Sequence, residues 1–124
     1  MIDKKLCMKT LDEFAAFKYD WDSYGAEPFN KKHLNKVKSF INDLKEDIPQ
    51  PWVVPCLNGS IQLEWNINKK HLEIEITEEN EIIWLKSFNK ETKKDFKDEK
   101  YETGETDCRD MEEINKLIDW ISGK

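Results

Sequence analysis

The sequence predicts an α+β fold: an antiparallel sheet of three to four strands with two N-terminal helices and one C-terminal helix, in the order α-α-β-β-β-(β)-α. Three observations predict it. Apolar residues recur at helical spacing in two segments before residue 46 and in one after residue 110. Between them the chain alternates apolar and polar residues, as a half-buried strand does. Prolines at 49, 51 and 55 separate the two regimes, because each removes a backbone donor and restricts φ.

Taken in order, Thr10 as N-cap with Glu13 completing a capping box predicts a first helix over residues 10 to 19. Leu6, Leu11, Phe14, Ala15 and Phe17 form its apolar side. The stretch "YDWDSYGAEP" at 19–28 then has to turn the chain. Gly25 can take a positive φ, Asp22 can accept backbone N–H bonds, and Pro28 keeps the next helix from starting early. Trp21 and Tyr24 are expected to pin this turn onto the core. A second helix is predicted over 31–46, capped by Asn30, striped by Leu34, Val37, Phe40, Ile41 and Leu44, and followed by Pro49.

The prolines confine any strand in "PQPWVVPCLNGS" to a short edge piece, and Asn58-Gly59 marks a turn. Ile61, Leu63 and Trp65, then Leu72, Ile74 and Ile76, are separated by "NINKK" and predict an antiparallel hairpin with one buried face. A third strand, "EIIWLKSF", follows the "TEEN" turn, but its run Ile82, Ile83, Trp84, Leu85 does not define its own register. Residues 89–105 are highly charged, with Phe96 and Tyr101 as anchors, and read as a fourth strand or a mobile loop. Asp110 and Glu113 form a capping box ahead of Ile114, Leu117, Ile118 and Ile121, predicting a third helix over 111–122. No repeat or break in composition divides the chain, so residues 1–124 read as a single domain.

The charge is unevenly placed. Residues 1–51 balance nine basic against nine acidic side chains, whereas residues 52–124 hold eleven against seventeen, so the net charge of −6 lies wholly in the second part. Nineteen of the twenty basic residues are lysine and only Arg109 offers a bidentate fork, which argues against direct contact with nucleic acid. Cys7, Cys56 and Cys108 are odd in number and lack metal-ligand spacing, which indicates free thiols in a reducing, cytoplasmic setting. No apolar run reaches membrane-spanning length and the start lacks a secretory signal, so neither a membrane nor glycosylation at Asn58-Gly59-Ser60 is expected.

"WDSYGAEP", an apolar helix, a proline-rich link, then "NGSIQLEW" and "LEIEI" together resemble a widespread family of small bacterial and phage proteins. That family carries a W-D-G-Y-G-A-x-P turn and a G-G-I-x-L-E-W strand. The resemblance spans residues 11 to 85, with Ser23 and Ser60 standing where the pattern has glycine. It implies a fold and no established activity.

The most suggestive constellation is the polar side of the hairpin, where Gln62, Glu64, His71, Glu73 and Glu75 project away from the core-facing residues. Three carboxylates on one face repel one another. Either Lys69, Lys70 and Lys86 balance them, or a basic partner does. A divalent-metal or acid/base site using Glu64, His71 or Glu73 is the weaker alternative, because strand spacing is not diagnostic of ligation. His33, among lysines, reads as a surface residue. No nucleophile elbow, cysteine signature or glycine-rich phosphate loop is present, so no catalytic residue, metal ligand or cofactor is assigned.

Trp52, Trp84, Trp120 and Tyr101 supply more large rings than a core of this size requires. The expectation is therefore a non-enzymatic protein-binding module that docks through Glu64, His71, Glu73, Glu75 and Trp84 on a basic partner surface. Trp21, Asp22, Tyr24, Gly25 and Pro28 are expected to form a structural turn. Inhibitors, antitoxins, immunity proteins and phage anti-defence proteins of the anti-CRISPR kind work in this way, and the Lys, Asn and Ile bias suits an AT-rich bacterial or phage genome. The alternatives are a homodimer that buries a sheet edge or the tryptophans, and a small hydrolase or metal-binding enzyme built on the acidic face.

Overall fold

Asp3 caps the first helix. Its carboxylate accepts the Leu6 amide at 3.0 Å, and α1 runs over Lys4–Ala15 in the computed structural model, which describes residues 1–89 and 99–123. The expected start at residue 10 is thus too late: Thr10 lies inside the helix, its hydroxyl donating to the Leu6 carbonyl at 3.0 Å. The early start lets Cys7, Leu11 and Phe14 share the buried face at i, i+4 and i+7, and leaves Leu6 49% exposed.

The turn at 19–28 is tied by its own side chains. Asp22 accepts the amides of Tyr24 at 2.9 Å and Ala26 at 3.0 Å, and Gly25, at φ 84, donates to Asp20 at 2.6 Å. Trp21 packs over Phe17 and Phe29 at centroid distances of 5.1 and 5.4 Å and donates to the Glu27 carbonyl at 2.9 Å. Tyr24 does not pin the turn: it is 89% exposed, and Ala26 and Phe29 are buried instead. Pro28 stands exposed ahead of the next cap.

Helix α2 spans Lys31–Asp43, with the Asn30 side chain accepting the amides of Lys32 at 2.9 Å and His33 at 3.3 Å. It stops short of residue 46 because Leu44 goes extended, which lets both Leu44 and Ile48 reach the core. Five strands follow: β1 (Trp52–Pro55), β2 (Ile61–Ile67), β3 (Lys70–Ile76), β4 (Glu81–Asn89) and β5 (Glu99–Asp107). They pair antiparallel in sequence order. The proline-bounded β1 is the short edge piece the prolines require, and β5 forms the other edge along the whole of β4. Phe96, with the rest of 90–98, lies outside the described residues. The β2–β3 loop is shorter than "NINKK": Asn68 and Lys69, at φ 49 and 66, make a two-residue turn and Ile67 pairs with Lys70.

Ile61, Leu63 and Trp65 of β2 and Leu72, Ile74 and Ile76 of β3 are all buried, and Ile82 of β4 joins them. Against this face lie Leu11 and Phe14 of α1, Val37 and Ile41 of α2, and Ile114, Leu117 and Ile118 of α3 (Met111–Ser122) in one continuous core. Trp65 satisfies its indole N–H on the Pro49 carbonyl at 2.8 Å, which ties the proline link to the core. Asp110 caps α3 by accepting the Glu113 amide at 3.2 Å, and Gly123 closes it at φ 80. Among the described residues every helix therefore sits on one side of the sheet, and no helix covers the other, here called the open face.

Candidate functional site

Strand alternation and pairing build the open face in rows. Trp52 stands opposite Glu64, Glu64 opposite Glu73, and Glu73 opposite Leu85. The adjacent row runs Val54, Gln62, Glu75, Ile83. The part of the face on β2 and β3 is thus acidic and is flanked by apolar residues on β1 and β4, with Thr103 and Glu105 of β5 beyond Leu85 and Ile83. Glu64, His71, Glu73 and Glu75 come together as expected, each half-buried by its neighbours.

Directly opposed carboxylates such as Glu64 and Glu73 cost about 0.2–1 kcal/mol. Local hydrogen bonds relieve part of this: Gln62 donates to Glu64, and His71 bridges Asn66 at 2.6 Å and Glu73 at 2.9 Å. Glu75 makes no salt bridge among the described residues. Burial, reinforced by the charges of Glu75, Glu64 and Glu73, pushes the nearby Cys56 thiol up to about 11.

Two of the three lysines expected to balance the face are directed away from it. Lys70 pairs with Phe88 and Lys86 with Leu72, so both share the parity of the core residues and project to the helix side. Lys70 sits 5.1 Å over the Trp120 ring and donates to the Trp120 carbonyl at 3.1 Å, where it also favours the C-terminal end of α3. Lys86 lies 5.5 Å from the Trp84 ring and 5.1 Å from that of Trp120. Lys69 occupies the β2–β3 turn.

Trp84 goes with the lysines. It stands opposite Ile74 and packs against the core, on the far side of the sheet from Glu64, Glu73 and Glu75. The large apolar groups beside the carboxylates are Trp52, 72% exposed, and Ile83, 41% exposed. Sequence reasoning missed this because Ile82 through Leu85 is apolar at both parities. It missed His33 as well, which is buried at 3% exposure rather than on the surface. The signal was present: His33 is spaced i, i+4, i+7 with Val37 and Phe40 on the buried stripe of α2.

Neither ring nitrogen of His33, nor Oδ1 of Asn80, has a hydrogen-bond partner among the described residues. Burial pushes the His33 pKa down; Glu78, the Ile76 backbone and Asn80 oppose that fall and Lys36 adds to it. Beside this pair a groove of about 640 Å³ runs between α2 and the loops at Asn80 and Cys108. Its charged lining is mixed, Lys32, Lys36 and Arg109 against Asp43, Glu79 and Asp107, so it selects no sign of ligand. Burial also pushes Cys108 up to about 11 and raises Cys7, which leaves these thiols protonated at neutral pH and poor nucleophiles. No group of three or more His, Cys, Asp or Glu among the described residues is arranged to hold a metal ion.

No protein-family model, curated protein or solved structure matches the chain. No helix among the described residues is long and apolar enough to cross a membrane.

Proposed function

We propose that the chain is a non-enzymatic protein-binding module whose open sheet face docks on a basic surface of a partner protein. One observation carries this reading: Lys70 and Lys86 are held over Trp120 and Trp84 on the helix side, so that among the described residues no strand lysine shares the face of Glu64, Glu73 and Glu75. Opposed carboxylates with no cation beside them gain from positive charge that a partner brings. The apolar borders supply surface to bury, and the carboxylates supply steering and selectivity for positive charge. An inhibitor, or an antitoxin- or immunity-type partner, fits this chemistry, as does an anti-defence protein of the anti-CRISPR kind that covers a basic nucleic-acid channel. Direct nucleic-acid binding does not fit, because phosphates would meet the same carboxylates.

The test is charge reversal. A partner captured from the native host is purified, and its association with the wild type is compared with that of the Glu73→Lys, Glu75→Lys double variant. The variant should associate more slowly at low salt and with a weaker salt dependence, at an unchanged melting temperature. Association at the wild-type rate would refute the reading. So would sedimentation showing a stable homodimer through this face at low salt, where acid would oppose acid.

A further inference from the structure

We infer that the element received by the open face is an amphipathic helix with a basic stripe, an inference that rests on the docking role proposed above. The acidic centre is two strands wide, with Trp52 and Leu85 flanking it in a row that continues to Thr103 on β5. Strands lie about 4.8 Å apart, so these two side chains stand about 14 Å from each other. A helix with its side chains is about 10–12 Å across and fills that width, so that its flanks meet both apolar borders.

The spacing along the strands agrees. Glu73 and Glu75 lie two residues apart in β3, about 6.7 Å at strand rise. Cationic residues at i and i+4 of a helix are about 6.0 Å apart along its axis. A helix laid along β2 and β3 therefore sets successive Lys or Arg residues against successive carboxylates. An extended partner segment presents only alternate residues in a single row and does not reach both borders. A second copy of this chain would bring the same carboxylates to the same place.

The probe is a fluorescent peptide of about four helical turns, with lysines at i, i+4, i+7 and i+11 and leucines along both borders of that stripe. Its control is an isomer of the same composition, scrambled so that the lysines encircle the helix. Anisotropy titrations at low ionic strength use the wild type, Trp52→Ala and the Glu73→Lys, Glu75→Lys variant. The Glu73→Gln, Glu75→Gln pair replaces the reversal if that variant fails to fold. The striped peptide should bind the wild type about tenfold more tightly than its isomer, lose binding on reversal or neutralisation, and weaken several-fold with Trp52→Ala. Equal binding of both peptides, abolished by charge reversal, would overturn the helix while leaving the acidic docking face standing. Binding of the striped peptide indifferent to Glu73 and Glu75 would overturn both, and no binding by either peptide would overturn the helix.

Discussion

The indole of Trp84 lies across the backbone of Gly104, its partner in the β4–β5 ladder. A Cβ added at Gly104 would stand 2.4 Å from Trp84 Cζ2 and 2.7 Å from Nε1, a distance no side chain tolerates without displacing the ring. The glycine thus makes room for an aromatic cover on an edge strand, and Lys86 lies 5.5 Å from the centre of that ring. Gly104→Ala should lower stability by about 1–3 kcal/mol through overpacking. Calorimetric melting checks this, and an unaltered transition would contradict the contact.

Trp21 and Tyr24 should behave differently, although they sit three residues apart in one turn. Trp21→Ala removes a partly buried ring packed on Phe17 and Phe29 and should cost about 2–4 kcal/mol, since full burial is lacking. Tyr24→Ala removes an exposed ring and should stay within about 0.5 kcal/mol. Urea unfolding of the two variants decides the matter, and equal losses would speak against the observed packing.

Ser23 occupies the left-handed region at φ 66, where a Cβ is strained. Ser23→Gly should therefore stabilise the turn by about 0.5–1 kcal/mol, after the greater freedom of glycine in the unfolded chain is offset. A variant less stable than the wild type in urea would show that the serine makes a compensating interaction.

His33 predicts an acid-side loss of stability. Its folded pKa is depressed below the ordinary value of 6.5, so the native state binds fewer protons than the unfolded chain. Its contribution is full above about pH 6.5 and declines as pH falls below it, where the unfolded imidazole takes up a proton that the buried ring resists. Carboxylates titrate in the same direction, so the informative quantity is the difference between proteins. His33→Leu should unfold with a smaller stability loss between about pH 7 and pH 5 than the wild type. Parallel pH profiles would place the sensitivity elsewhere.

All three cysteines are free. With Cys56 and Cys108 pushed from 9.0 to about 11, their thiolate fraction at neutral pH is about a hundredfold below that of an ordinary thiol. Native protein should react slowly with iodoacetamide at pH 7.5, and denatured, unreduced protein should titrate three thiols. A denatured count of one would reveal a disulfide.

Much of the fold was legible because the deciding forces were local. The alternation over 61–76 named every buried residue of β2 and β3, since burial of one face ties parity to pattern. Asn30 and Asp110 were readable as caps because a capping bond is made within one turn of its own helix. The same locality placed the turn at Gly25 and gathered Glu64, His71, Glu73 and Glu75 on one polar face.

What tertiary structure decided lies where two local solutions compete or no local pattern exists. Asp3 and Thr10 can each start a helix, and Asp3 prevails where Cys7 is buried in the core. The β4 run is apolar at both parities, so only its ladder with β3 sends Trp84 and Lys86 to the helix side and Ile83 and Leu85 to the open one. The backbone pairing that makes β5 a strand leaves little mark on a charged sequence, and the burial of His33 depends on the Ile76 to Asn80 segment packed against it. The sequence by itself determined which residues are acidic and which alternate. Long-range pairing determined that the acids lie on the open side while Lys70 and Lys86 lie on the helix side, because the side of a sheet a residue occupies is a property of its partner strand as much as of its own.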